Sequence, residues 1–427
     1  MATVSGGGNT FVLDAGSNDR NGTAAALADA ISAELAAGSL IASVDGSSSS
    51  NLPTLVLVTA QTVAPFGPPV KAFLINAGGP TTVVGSGTVS EQIIGNSAPI
   101  LFALRGGTGT VVLGDGNDTV STNNLPTTGF AITTGSGNDL ILGSTGNNTI
   151  NAGGGLNTIG TGSGNSTVFL NGRDTVWAGT GAETINGGAD SALIYVANST
   201  LNFFGGSGGA TIGGGTGNST IALGTGSLYF VGGTGSATVL AGVGSTTVFA
   251  GSGGGVFRGG SAGHNSLLNG AGGQATLFGA VAGDTLYATG SGQTTFFAGA
   301  GNETLDGSTS TGFNEFHASP SGATLIGFGL GVNQVYLGAN SFVYVRGHDN
   351  LLVVEQGFTS GVVQVSDFDT RNDKFTLSGF ASGKFNAVIS SAQVVNIGGV
   401  PTTQLAIDNG TVIQLLGVTS ITSSIFI

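Results

Sequence analysis

The sequence predicts an all-β fold: a parallel β-roll or β-solenoid of nonapeptide repeats, with a small N-terminal α+β domain before it and a β-rich region after it. Three observations predict this. Glycine accounts for 81 of 427 residues and separates short β-branched runs. Six nonapeptides run in unbroken register from Gly205 to Arg258: GGSGGATIG, GGTGNSTIA, LGTGSLYFV, GGTGSATVL, AGVGSTTVF and AGSGGGVFR. Their eighth positions, Ile212, Ile221, Phe230, Val239, Val248 and Phe257, are all apolar.

Each feature has a physical reading. Glycine tolerates positive φ, so the glycines mark tight turns. The residues after them extend into a short strand whose eighth residue points inward. One repeat cannot bury that residue alone, but stacked repeats build a continuous core. Two nonapeptides make one coil, so residues two repeats apart stack at about 4.8 Å.

The repeats occupy 106–306. Four more run without a gap from Thr134 to Phe169: TGSGNDLIL, GSTGNNTIN, AGGGLNTIG and TGSGNSTVF. Residues 1–105 read differently, as an assembly or anchoring domain. Thr23–Gly38 is a helix, with Leu27, Ile31 and Leu35 on one face, Thr23 as its cap and Gly38 at its end. SVDGSSSSNLP (Ser43–Pro53) reads as a loop; TLVLVTA, KAFLINA and APILFALRGG read as buried strands. Residues 307–427 form the C-terminal β region.

Composition excludes several classes. Disorder needs low hydrophobicity and high charge, whereas here 40% is hydrophobic and 7% charged. Collagen needs glycine at every third position. The net charge of −13, with Lys plus Arg at 9, argues against nucleic acid as a partner. An acidic surface suits solubility or divalent cations. No cysteine is present, so neither disulfides nor thiolate metal sites are available. The N-terminus MATVSGGGNT lacks the basic and apolar regions of a cleaved secretory signal, and no apolar run is long enough to span a bilayer.

The nonapeptides resemble the G-G-x-G-x-D-x-U-x repeats of RTX proteins, which form Ca²⁺-binding parallel β-rolls. Val363–Phe380, VQVSDFDTRNDKFTLSGF, looks like the segment that follows such repeats, and TTQLAIDNGTVIQLLGVTSITSSIFI resembles the terminal module of type I secreted proteins, with a hairpin at Asp408-Asn409-Gly410 and a short apolar end at Ile425–Ile427. The resemblance implies an uncleaved C-terminal export signal, an extracellular or cell-surface location and folding outside a low-calcium cytoplasm. Among RTX exports it points to S-layer or surface-fibre members.

It also implies where Ca²⁺ binds. In a β-roll, acids two repeats apart stack, and two carboxylates about 5 Å apart repel by about 3 kcal/mol. A calcium ion held by carboxylates and turn carbonyls relieves this. Asp118 and Asp139 hold the sixth position, Asp115 stands in the first loop, and Asn148 and Asn157 follow as neutral oxygen donors. Asp174, Glu183, Asp284 and Glu303 are further candidates, and Asp367, Asp369 and Asp373 form a separate acidic cluster. From 205 to 258 the sixth positions are Ala210, Ser219, Leu228, Ala237, Thr246 and Gly255, so that stretch is expected to stack without metal. The competing reading is that many of these acids cap turns through Asx hydrogen bonds.

No catalytic set emerges. Two G-x-S-x-G matches, Gly205–Gly209 and Gly259–Gly263, lie in the repeat register without a following helix. His264, His317 and His348 are scattered, with no H-E-x-x-H. Trp177, the only tryptophan, reads as either a surface aromatic or a plug at a coil end, with the plug preferred. If position eight points in, position nine points out. Phe169, Val231, Leu240, Phe249, Phe278 and Phe297 occupy or approximate that place and are candidate assembly contacts. The functional expectation is a non-enzymatic, secreted structural protein that self-assembles into a surface layer or filament with calcium. An adhesin or matrix protein that binds cell-surface polysaccharide is the alternative, and a polysaccharide-active β-solenoid enzyme a third.

Overall fold

The computed structural model describes residues 1–6, 9–14, 22–44, 54–59, 70–87, 90–122, 127–262, 264–270, 272–322, 324–408 and 410–427. They form two compact units, Met1–Asn218 and Ser219–Ile427. Each is a parallel β-solenoid with two ladders of short strands facing each other across an apolar core.

In the first unit, one ladder runs from Ile41–Val44 through Thr54–Val58, Val70–Ile75, Ser90–Gly95, Gly107–Val112 and Thr127–Thr133, then through four repeat strands to Thr200–Phe204. The other runs from Thr81–Val84 to Ala210–Gly213. The inward residues form a column in each. Phe73, Ile93, Val111, Ile132, Ile150, Val168, Ile185 and Phe203 lie in register on the first ladder, and Val83, Phe102, Val120, Ile141, Ile159, Val176, Ile194 and Ile212 on the second. All are buried. At about 1.5–3 kcal/mol per buried aliphatic or aromatic side chain, these columns are the main stabilising element.

The parallel pairing runs through residue 105 without interruption, since Ser90–Gly95 pairs with Gly107–Val112. What sets the first hundred residues apart is a cover on the solenoid. Helix α1 (Thr23–Ala36) and the antiparallel hairpin Ala2–Gly6/Asn9–Leu13 are built into one core cluster with Leu55, Ala72, Leu74, Ile94 and Val112. These five have the opposite parity to the inward column, so α1 and the hairpin lie on the outer face of the first ladder. Strands covered on both faces need no polar alternation, which explains the continuous apolar runs TLVLV and AFLI. The buried stripe of α1 is Ala24, Ala28, Ile31 and Leu35, with Leu27 half-buried at its margin. Thr23 does not cap α1: Gly22, at φ 68°, holds the cap position with no side-chain hydrogen bond, and Gly38 at φ 70° follows the end. Lys71 and Glu34 form an ion pair at 2.8 Å beside it. Of the expected loop Ser43–Pro53, Ser43 and Val44 end a strand and the rest lies outside the described residues.

In the second unit, one ladder runs from Ser219–Ala222 to Lys374–Ser378 with Ile221, Val239, Phe257, Leu277, Phe296, Phe316, Val335, Leu352 and Phe375 as its inward column. The other runs from Leu228–Val231 to Gly361–Ser366, with Phe230 in register with Val248 and on through Leu267, Leu286, Leu305, Ile326 and Val343 to Val365. The coils continue across residue 306, which lies inside the strand Glu303–Ser310. The pattern changes at the C-terminal end. Thr411–Leu416 adds to Gly361–Ser366 in parallel, Val400–Ala406 pairs with it antiparallel, and Gln393–Ile397 pairs with Val400–Ala406. The expected hairpin thus joins Val400–Ala406 to Thr411–Leu416; of its tip, Asn409 lies outside the described residues. Helix α2 (Lys384–Ser390) precedes these strands, and the Ile427 amide donates to Phe375 O, closing the end of the first ladder.

Some repeat glycines, such as Gly153 and Gly162, sit at positive φ, but others are required for a different reason. Gly215 and Gly242 lie outside the left-handed region; a Cβ on Gly242 would sit 1.6 Å from Gly224 O, and one on Gly215 1.8 Å from Ala197 O. Turns of successive coils approach too closely for any side chain. Gly242→Ala is therefore expected to destabilise the second unit by about 1–3 kcal/mol, read as a lower denaturation midpoint against Gly410→Ala. In that control the new Cβ meets only Asp408 Oδ1, at 3.8 Å, and φ lies outside the left-handed region.

Candidate metal site and the buried polar ladders

Most sixth positions are buried beside the inward column. Ala210, Leu228 and Ala237 fill theirs with apolar groups, while elsewhere the chain builds two internal polar ladders of short polar side chains, one at the start of each strand stack. In the first unit, Asp118 Oδ1 accepts from the Ile100 amide at 2.8 Å, Asp139 Oδ1 from the Asp118 amide at 2.8 Å, Asn157 Oδ1 from the Asp139 amide at 2.9 Å, and Asp174 Oδ1 from the Asn157 amide at 3.2 Å. On the opposite side Asn148 Oδ1 accepts from the Phe130 amide at 3.1 Å, and Glu183 Oε1 from Thr161 Oγ1 at 2.9 Å. The second unit repeats the device. Asn314 Nδ2 donates to Asn333 Oδ1 at 3.0 Å, Asn333 Nδ2 to Asn350 Oδ1 at 2.8 Å, and Asn350 Nδ2 to Asp373 Oδ1 at 2.8 Å.

What distinguishes the rungs is the fate of the second polar atom. Where the residue is Asn, its NH₂ reaches the turn carbonyls: Asn157 Nδ2 donates to Ala152 O (2.9 Å) and Gly154 O (3.1 Å), Asn148 Nδ2 to Gly146 O (2.9 Å) and Thr161 O (3.1 Å). Asn148 and Asn157 are thus ladder rungs, with the oxygen and the NH₂ of each side chain both hydrogen-bonded. Where an acid faces turn amides, its second oxygen is also met. Asp284 Oδ2 accepts from Ala280 and Val281, and Asp373 Oδ2 from Asp369, at 2.8–3.1 Å.

Asp118 and Asp139 match neither case. Both are buried, and Oδ2 of each has no hydrogen-bond partner. Burial pushes the Asp118 carboxyl up to about 8, and Asp139 and Asp115 nearby add to the rise while the Ile100 amide opposes it. Burial likewise raises Asp139 to about 6. An ionised oxygen buried without a partner costs several kcal/mol, so the site demands either a proton or a cation. Carboxylate oxygens beside turns free of a competing side-chain amide are the hard oxygen donors that Ca²⁺ takes. The donor chemistry of Asp118 and Asp139 therefore fits calcium. Asp115 lies on the rim: its Oδ1 accepts from the Ser136 amide at 3.0 Å. Glu183 and Glu303 carry the same signature, one buried oxygen unpaired and the carboxyl raised to about 7 by burial.

The C-terminal acids do not converge; among the described residues no three His, Asp or Glu side chains do. Asp373 closes the Asn314–Asn333–Asn350 ladder, Asp369 is held below its ordinary range by hydrogen bonds from Arg371 (Nε at 3.1 Å), and Asp367 is exposed at φ 58°. His317 sits 2.9 Å from Glu315 and His348 2.9 Å from Asp349, far apart in the fold's order of coils.

A second ladder escaped sequence reasoning. The fifth-position asparagines bond coil to coil at the turn surface: Asn117 Oδ1 accepts from the Asn138 amide (2.8 Å), Asn138 Oδ1 from Leu156 (2.8 Å), Asn147 Oδ1 from Asn165 (2.9 Å), and Asn165 Oδ1 from Ala182 (2.8 Å). Its signal was the Asn-Asp and Asn-Asn pairs at 117–118, 138–139 and 147–148. Replacing a central inner rung, Asn333→Leu, strips partners from Asn314, Asn350, Gly329 and Gly331. It should cost about 1–3 kcal/mol in chemical denaturation.

Of the predicted contact residues, Phe169, Val231, Leu240 and Phe249 are exposed on the outer sheet faces. Phe278 and Phe297 are half-buried in an axial stack, 4.7 Å apart, continued by His317 at 4.3 Å and Tyr336 at a further 4.4 Å, with Arg258 over Phe278. Their faces are covered by one another and only ring edges point outward. Trp177 is not a plug: it is 55% exposed and stacks on Tyr195 at 4.4 Å. No family model and no curated protein matches the chain.

Proposed function

We propose that this chain is an extracellular structural protein, exported through its C-terminal region, that binds calcium at Asp118 and Asp139 and self-associates into a surface layer or filament. The observation that carries the reading is the solenoid itself. Each unit is a stack of coils that leaves large apolar side chains exposed on its outer sheet faces: Phe169, Trp177, Tyr195 and Phe204 in the first unit, and Tyr229, Val231, Leu240 and Phe249 in the second. Calcium would supply charge neutralisation for the two buried carboxylates, locking the coils that carry them.

Negative-stain microscopy of the purified protein tests this. Ordered sheets or filaments are expected in millimolar calcium and their loss in chelator; monodisperse monomers at high concentration in calcium would overturn it. One observation favours glycan binding as a second reading. The exposed Trp177–Tyr195 pair stands in register between Gly160 and Gly213, which leave room beside the ring faces. Retention on a polysaccharide column that Trp177→Ala abolishes would favour that reading.

A further inference from the structure

We propose that the strand Gln393–Ile397 is a docking edge for a second copy of this chain, pairing with the same strand of that copy across a two-fold axis. The inference deepens the self-association reading and rests on it for its biological setting, though its geometry stands independently.

The strand is the last of its sheet. Among the described residues its only strand partner is Val400–Ala406, and it is mostly exposed, with Val394 57% exposed. The two-residue loop Gly398-Gly399, at φ 59° and 90°, makes Ile397 and Val400 a hydrogen-bonded pair. Alternation along an antiparallel ladder then turns Val395 and Gln393 toward the partner strand. The amides and carbonyls of Val394 and Asn396 point the other way, along the open edge. Natural edges are blunted by charge, proline, bulges or a covering element. Gln393–Ile397 has no charged residue, no proline and no bulge.

The occupant follows from two features. The edge is self-complementary. An antiparallel pairing centred on Val395 sets Val394 of one copy opposite Asn396 of the other, and vice versa, so every outward amide and carbonyl of both strands is used. It is also electrically silent. The chain carries a net charge of −13, which opposes association of its copies, but no charged residue occurs between Lys384 and Asp408. A pairing about a two-fold closes on itself, so this edge makes dimers that other faces can extend.

The test uses the full chain in calcium. Val394→Pro removes an outward amide without touching the hairpin ladder, and Val394→Lys places a charge on the edge; circular dichroism and the melting temperature should match the wild type. In sedimentation velocity the wild type should form dimers or larger species, and both variants should halve the mass of the smallest repeating species. The chain has no cysteine, so a single Val395→Cys substitution reports register. Under mild oxidation it should crosslink into a dimer, because the two copies of residue 395 form a non-hydrogen-bonded pair with Cα atoms about 4.5 Å apart; Gln393→Cys should not. Unchanged assembly in both Val394 variants, or no crosslink at 395, overturns the edge and leaves the layer or filament reading standing. Dimers that Val394→Pro abolishes, with nothing larger in the wild type, support the edge and overturn the layer. A wild type that stays monomeric overturns both.

Discussion

In calcium-free buffer the protein should become less stable as pH rises from about 4 to about 8, and calcium should remove that slope. Asp118 is the largest contributor. Its carboxyl stands at about 8 in the folded chain against an ordinary 3.8. A group raised in this way is protonated in the folded state and ionised in the unfolded state between those values. Its stabilising contribution is complete below the unfolded pKa and is lost as pH climbs to the folded one. The difference is on the order of 5 kcal/mol at pH 8. Glu183 and Glu303, both raised to about 7, act in the same direction and exhaust their effect a little earlier. A bound Ca²⁺ favours the ionised carboxylates and opposes the trend. Thermal melts across this range, with chelator and with calcium, measure it. Asp118→Asn should flatten the chelator curve, because an amide there can donate to the turn as Asn157 does to Ala152 and Gly154. A chelated protein that gains stability with pH, or an Asp118→Asn variant with an unchanged slope, would refute the assignment of the unpaired oxygen.

The same substitution logic shows how much of the molecule was legible beforehand. The inward column was readable because an apolar residue at the eighth position is a periodic signal, and register follows from period: Ile194 to Ile212, and Phe230 to Val248, are each two repeats apart. The extent of the solenoid was not readable. Strands such as Thr54–Val58 and Val70–Ile75 are covered on the outside by α1, so they lose the alternation that reveals a one-sided strand. The sixth position was visible as a repeat feature, but its direction was not. Asp and Asn look alike as oxygen donors in a sequence, and only the turn geometry separates Asn157, which satisfies carbonyls, from Asp139, which leaves an oxygen unpaired. Trp177 was misplaced for a related reason. Its neighbours in register, Gly160 and Tyr195, come from other coils, and nothing adjacent in sequence announces them.

The largest effect of a single core substitution should come from Phe316→Ala. Phe316 is wholly buried and stacks on Phe296 at 4.7 Å, nearly parallel, and on Phe328 at 5.4 Å. In register it sits between Phe296 and Val335, so its ring is the contact that joins three successive coils. Truncation removes the buried ring and leaves a cavity that stiff, hydrogen-bonded coils cannot close, at a cost of about 3–5 kcal/mol. In a stack of coils stability is a sum of neighbour terms, so the damage should be local. Hydrogen exchange should show protection falling first in Thr294–Phe297 and Asn333–Tyr336, the strands on either side, while Leu228–Val231 keeps its protection. Phe316→Leu, which keeps most of the volume, should lose much less. If exchange instead accelerated uniformly through Ser219–Ile427, that unit would be one cooperative body. The coil-by-coil description of its energetics would then have to be abandoned, even with every residue of the column in its place.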